Sequence, residues 1–208
     1  MTSPLKRAMV TKAKAPSQWD FANGLLYDLC REHPQHVDAS IIVAKVWLIG
    51  RAYAAAIERR KDAKKEPGSF YLKKVAPPIR KSSIDRWLRS LDHIADIDEQ
   101  SLPEIVAVHA KVMALFRKIG GDDKRSLASK YLHFHKPHLF FIYDSRANKG
   151  LSKLSPILPR ATRTVGLGDN TYRKFVEKCV SLRAHVASRF TDGDLSTRQL
   201  DQLLLLLA

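Results

Sequence analysis

The stretch SLPEIVAVHAKVMALFRKIGG, residues 101–121, places apolar side chains at Ile105, Val108, Val112, Leu115, Phe116 and Ile119. Steps of three and four residues put all six on one face of an α-helix, whereas a strand, with its period of two, would scatter them over both faces. Its ends carry matching signals. Ser101 is placed as N-cap, Pro103 falls in the first turn, Glu104 completes a capping box, and Gly120-Gly121 stops the helix. One apolar stripe needs others to lie against, and the same period recurs along the chain. Residues 17–31 form a helix with Trp19, Leu25, Leu26 and Leu29, ending before Pro34. Asp38 or Ser40 opens a long one through Ile41, Ile42, Val46 and Ile49 that continues into GRAYAAAIERRKDAKK. Ser82 or Ser83 opens the helix of Trp87, Leu88, Leu91 and Ile94, and Asp122 or Asp123 opens one that Pro137 ends. Asp144 caps a short helix over 145–149, Asn170 opens another with Phe175, Val176, Cys179 and Leu182, and Ser196 begins the last. Phe70–Val75 reads as a short extended piece. About eight helices and no alternating strand pair make the fold class mainly α.

Length and charge bound the rest. A chain of 208 residues buries one substantial core, so residues 17–208 read as a single helical domain behind a basic, flexible stretch at 1–16. Lys and Arg number 36 against 21 Asp and Glu, a net charge of +15 that calls for a polyanionic partner, nucleic acid first. The excess is uneven: residues 51–90 hold twelve Lys/Arg and four Asp/Glu, with Phe70, Tyr71 and Trp87 interleaved as a stacking groove for nucleic acid requires. Two cysteines, Cys30 and Cys179, cannot build a disulfide framework or a four-cysteine zinc site, and sit in apolar helical patterns as buried thiols. No run reaches the ~20 apolar residues of a membrane span, and the N-terminus lacks the apolar stretch of a signal peptide. The expected location is the cytoplasm.

SLASKYLHFHKPHLFFIYDSRANKG, residues 126–150, contains two charges where apolar runs normally exclude them. Lys130 lies beside a helical face marked by Leu127, Tyr131 and Phe134. One reading is a snorkelling lysine whose stem covers the core while its ammonium reaches water. The other is a desolvated nucleophile. At the reference pKa of about 10.4 only about 0.04% of a lysine is neutral at pH 7, and burial or cationic neighbours raise that fraction. Asp144 follows Leu139-Phe140-Phe141-Ile142-Tyr143 and is placed as an N-cap, where backbone N–H groups and the helix dipole hold a carboxylate ionised and oriented. Such a carboxylate suits an oxocarbenium-like transition state.

A lysine-bearing helix, a proline, an apolar run and an aspartate capping the next helix resemble the catalytic segment of the helix-hairpin-helix DNA glycosylases. SLASKYLHFHKPHLFFIYDSRA is most similar to bacterial proteins with the 8-oxoguanine DNA glycosylase fold, a group associated with anti-phage defence. The resemblance spans about residues 101–150. It implies a compact multi-helix fold in which Lys130 attacks the sugar C1′, releases the base and forms a Schiff base, while Asp144 supports the sugar cation. Strand-cleaving lyase activity would follow from the same intermediate. Where those enzymes carry Gly-x-Gly ahead of the lysine, this chain reads Ser126-Leu127-Ala128-Ser129, so the hairpin is degenerate.

Other residues complete the expected site. Tyr143 and Arg146 flank the aspartate as substrate contacts, and Trp47 and Arg51, four residues apart on one helix, suit a base and a phosphate. Trp47 also reads as a core residue. His133 is a further substrate contact; with His135 and His138 it invites a metal, but the three lack helical i, i+4 spacing, so neither a metal nor another cofactor is expected. VGLGDN at 165–170 has the form of a phosphate-cradling loop. Two alternatives stand beside the DNA glycosylase: a non-catalytic helical module that binds nucleic acid or a protein partner, and a glycosylase of nucleotides or modified bases.

Overall fold

The computed structural model describes residues 5–58, 69–154, 157–158 and 168–208. Among these it forms ten α-helices and no strand: α1 Arg7–Lys14, α2 Asp20–Glu32, α3 Ala39–Ala52, α4 Ala76–Arg80, α5 Ile84–Arg89, α6 Leu102–Gly120, α7 Arg125–His135, α8 Ser145–Lys153, α9 Asn170–Arg189 and α10 Thr197–Leu207. The fold is mainly α. None of these helices is long and apolar enough to cross a membrane.

Helix α7 sits at the centre, packed against α2, α3 and α6. Every residue from Leu127 to Phe134 is buried, so this helix has no outward face. The sequence marks one apolar face on it; the fold encloses all of them. Helix α10 lies between α1 and α8. Its contact with α8 is backbone against side-chain-free backbone: a Cβ on Gly150 would stand 2.1 Å from the Leu204 carbonyl oxygen. Residues 5–14, read as part of a flexible arm, instead bury Leu5, Val10 and Ala13 and form α1 against α10.

Several helix ends differ from the sequence reading. Helix α3 stops at Ala52 instead of running on: Ala54 turns into the left-handed region at φ 49°, and the Ala55 N–H closes back on the Gly50 carbonyl at 2.7 Å. A Cβ on Gly50 would meet the Ala56 Cα at 3.3 Å, so the small residues here serve the chain's own reversal. The basic residues 59–65 lie outside the described residues. The expected extended piece at 70–75 is a π-helical turn, Tyr71–Val75, running into α4, because helical spacing carries Val75, Ala76 and Ile79 into the core together. Ser101 makes no capping bond to α6 and no capping box with Glu104; it exchanges hydrogen bonds with Asp98 instead. Gly121 does end α6, at φ 79°. Lys124, not an aspartate, precedes α7, and Asp169, not Asn170, caps α9 through the Thr171 N–H at 3.1 Å. The capping box at Ser196 and Gln199 starts α10.

The interleaved aromatics are half-buried. Phe70, Tyr71 and Trp87 all lie against the core, while Lys73, Lys74, Arg80, Lys81, Arg86 and Arg89 are exposed. Cys30 and Cys179 are both buried free thiols.

Candidate active site

Lys130 is 2% exposed, and its ammonium does not snorkel to water. Its Nζ donates to Ser126 Oγ at 2.9 Å, one turn back on α7, and to the Tyr53 carbonyl at 3.1 Å. Asp144 Oδ2 completes the set at 3.3 Å. The Tyr53 carbonyl is free to accept because α3 has just ended there, so the left-handed turn at Ala54 creates part of the lysine's environment. Strain of this kind costs on the order of 1–2 kcal/mol in a non-glycine residue and tends to collect at functional sites. Burial lowers the Lys130 pKa, and the Asp144 carboxylate opposes that shift.

Asp144 divides its two oxygens. Oδ1 accepts the Ala147 N–H at 2.9 Å and caps α8, while Oδ2 faces the lysine. The capping role and the lysine-pairing role therefore coexist in one side chain. What holds it there is the run 140–143, which belongs to no helix or strand. A buried segment outside regular structure must satisfy its backbone groups individually. His133 Nδ1–H donates to the Phe140 carbonyl at 2.7 Å, the Tyr172 hydroxyl to the Phe141 carbonyl at 3.0 Å, and the Tyr143 N–H to Ser129 Oγ at 3.0 Å. Two of these anchors, Ser129 and His133, flank Lys130 on α7. The helix that carries the lysine therefore fixes the segment that delivers the aspartate.

Lys130 and Asp144 open on a cleft of about 920 Å³. Tyr143 and Arg146 line it. Arg146 is exposed at the start of α8 and has no ion-pair partner among the described residues. Three other expected contacts do not reach the cleft. His133 is fully buried: with Nδ1–H spent on Phe140, its Nε2 accepts from the Tyr27 hydroxyl at 2.6 Å, which fixes the ring as a neutral structural bridge. Burial pushes its pKa down to about 4. Trp47 is 44% exposed on the outer side of α3, neither in the cleft nor in the core. Arg51 pairs with Glu58, which also accepts the Tyr71 hydroxyl. The loop at 165–167 lies outside the described residues. Among those described, no cluster of His, Cys, Asp or Glu could hold a metal ion.

Sequence reasoning passed over five residues that line the cleft: Asn23, Tyr53, Ser126, Arg198 and Asp201. Asp201 carried a readable signal, since it interrupts the leucines of QLDQLLLLL in the same way that Lys130 interrupts its own run. It is buried on α10, accepts from Arg198 at 2.7 Å, and burial pushes its pKa up to about 6. The Arg198 guanidinium also lies 5.9 Å over the Tyr53 ring. Trp19, Leu25 and Leu48 stand exposed along the same cleft. No protein-family model, no curated protein and no solved structure matches this chain.

Proposed function

We propose that the chain is a lysine-dependent N-glycosylase acting on nucleic acid, with DNA as the first expectation. The observation that supports it is the pair at the cleft: an amine 2% exposed, with its pKa lowered by burial, 3.3 Å from a carboxylate locked by its own helix cap. Neutral Lys130 attacks C1′ of the nucleoside. The bond from C1′ to the base nitrogen breaks, its electron pair leaves with the base, and the base takes up a proton. Loss of the C1′–O4′ bond from the adduct then gives a protonated Schiff base, which water hydrolyses or from which the 3′ phosphate is eliminated. Asp144 faces the cation that develops at C1′. Arg146 at the rim suits a substrate phosphate. The resemblance in the sequence extends this reading to a cytoplasmic role in anti-phage defence.

A second reading is favoured by the completeness of the lysine's surroundings. Three acceptors surround Nζ, as they would around a purely structural ammonium in a helical binding module. Borohydride trapping on abasic-site DNA separates the two, because an amine can attack an abasic sugar without recognising a base. A covalent adduct in the wild type that is lost in Lys130→Gln is the expected result. Equal trapping in both, or in neither, removes the lysine from the chemistry and leaves the binding module. Activity on mononucleotides with none on DNA would move the substrate from polymer to nucleotide.

A further inference from the structure

Two residues that line the cleft beside Lys130 each hold a buried polar atom with no partner among the described residues. Asn23 on α2 is 7% exposed; its Oδ1 accepts the Tyr53 hydroxyl at 2.8 Å, and its Nδ2 has no partner. Asp201 on α10 is 4% exposed; its Oδ2 accepts from Arg198, and its Oδ1 has no partner. Both residues line the cleft, from opposite elements. Buried polar groups are paired in the great majority of cases, and one left unpaired costs about 1–3 kcal/mol. Leucine at either position would avoid that cost, as Leu200, Leu203 and Leu204 do beside Asp201. The residues lining the cleft thus hold one unspent donor and one unspent acceptor, both shielded from water in the free chain, in walls that are largely apolar and aromatic, with Trp19, Leu25, Leu48 and Tyr53 among them.

A complementary ligand needs flat apolar faces and an edge with a donor and an acceptor side by side. Phosphodiesters and carboxylates offer no donor, phosphates of any kind have no flat apolar face, and neither do sugars. Every nucleobase has both: a ring nitrogen beside an amino group, or a carbonyl beside an N–H. At about 920 Å³ the cleft is at the upper end of the range for small-molecule sites, roughly 300–1,000 Å³, which leaves room for the sugar that must reach Lys130.

We propose that Asn23 and Asp201 form the recognition edge for a nucleobase, Asn23 Nδ2–H donating to its acceptor and Asp201 Oδ1 accepting from its neighbouring N–H. The assignment rests on the nucleoside chemistry proposed above for its substrate class and adds the groups that read the base. Five free bases serve as probes: adenine, cytosine, hypoxanthine, uracil and thymine, each titrated calorimetrically into the full chain. At least one base is expected to bind saturably, with at least about tenfold weaker binding in Asn23→Leu and in Asp201→Asn, and unchanged binding in Trp47→Ala. If Asp201→Asn fails to fold, Asn23→Leu carries the test. Absence of binding by all five, or wild-type affinity in the folded variants, overturns the proposal. Trapping of abasic DNA by Lys130 without base binding overturns the recognition edge and keeps the glycosylase. Base binding lost in both variants, without trapping, supports the edge and removes the lysine chemistry.

Discussion

Removing the two partners of the Lys130–Asp144 pair one at a time should give unequal costs, because the two are unequally buried. At 3.3 Å the pair's Coulomb attraction is about 5 kcal/mol at an effective dielectric constant of about 20. The Asp144 side chain is 26% exposed, so water screens much of this, and the net loss on Asp144→Asn should be about 1–3 kcal/mol. Asparagine keeps the cap on Ala147, so the loss reports the charge and not the helix end. Lys130→Met removes the buried ion itself. Its thioether chain fills the space of the lysine stem, and Asp144 retains both its cap and water. The cost should stay within about 1 kcal/mol, although Ser126 and Tyr53 each lose a donor. A pH dependence accompanies this. The folded pKa of Lys130 lies below its unfolded value, so the unfolded chain binds more protons in the alkaline window up to about 10.5. Stability therefore gains a contribution as pH rises through that window. The gain should be absent in Lys130→Met and larger in Asp144→Asn. Urea unfolding followed by far-ultraviolet circular dichroism at pH about 7 and about 9.5 measures both effects. Equal or greater destabilisation by Lys130→Met, or a wild-type contribution of opposite sign, would refute the asymmetry.

Three further outcomes follow from the same geometry. His109 and His133, both pushed down to about 4 by burial, hold fewer protons folded than unfolded between about 4 and 6.5, so stability should fall through that range on acidification, by on the order of 3 kcal/mol for each ring. Asp201, pushed up to about 6, opposes the fall, so Asp201→Asn should steepen it; urea midpoints that stay flat over this pH range would contradict the assignment. Gly150→Ala forces a methyl into the Leu204 carbonyl, and a loss of about 1–3 kcal/mol with faster amide exchange in α8 and α10 is expected. Ala54→Gly relieves the left-handed turn, and thermal melting should show a gain of up to about 1 kcal/mol; a loss would mean that the turn is unstrained.

Local pattern accounts for much of the fold. Stripe spacing in 101–121, the glycine stop at Gly121, the cap at Asp144 and the start at Ser196 are set within a few residues of one another, and the chain alone makes them readable. The same holds for the suspicion that fell on Lys130 and Asp144, since charge within an apolar run is a local anomaly. Where the reading failed, a distant group decided. Helix α3 ends early because small residues let the chain fold back on itself, and the same apolar signal at 70–75 fits either an extended piece or a helical turn until the core is known. Trp47 and His133 were candidates by residue type, and only their surroundings show one turned outward and the other closed between Tyr27 and Phe140.

The sequence by itself determined a mainly helical chain, most of its helices, and two charges that needed a reason to be buried. Tertiary structure alone decided what surrounds them: Tyr53, just past the end of α3, bonds to Lys130, and Asn23 from α2 and Asp201 from α10 line the same cleft, across separations of up to 107 positions in the chain. Capping and periodicity act between neighbours and are written in neighbouring letters. The desolvation of an amine and the partners left to a buried amide depend on which distant surfaces the core brings together, and no local pattern encodes that.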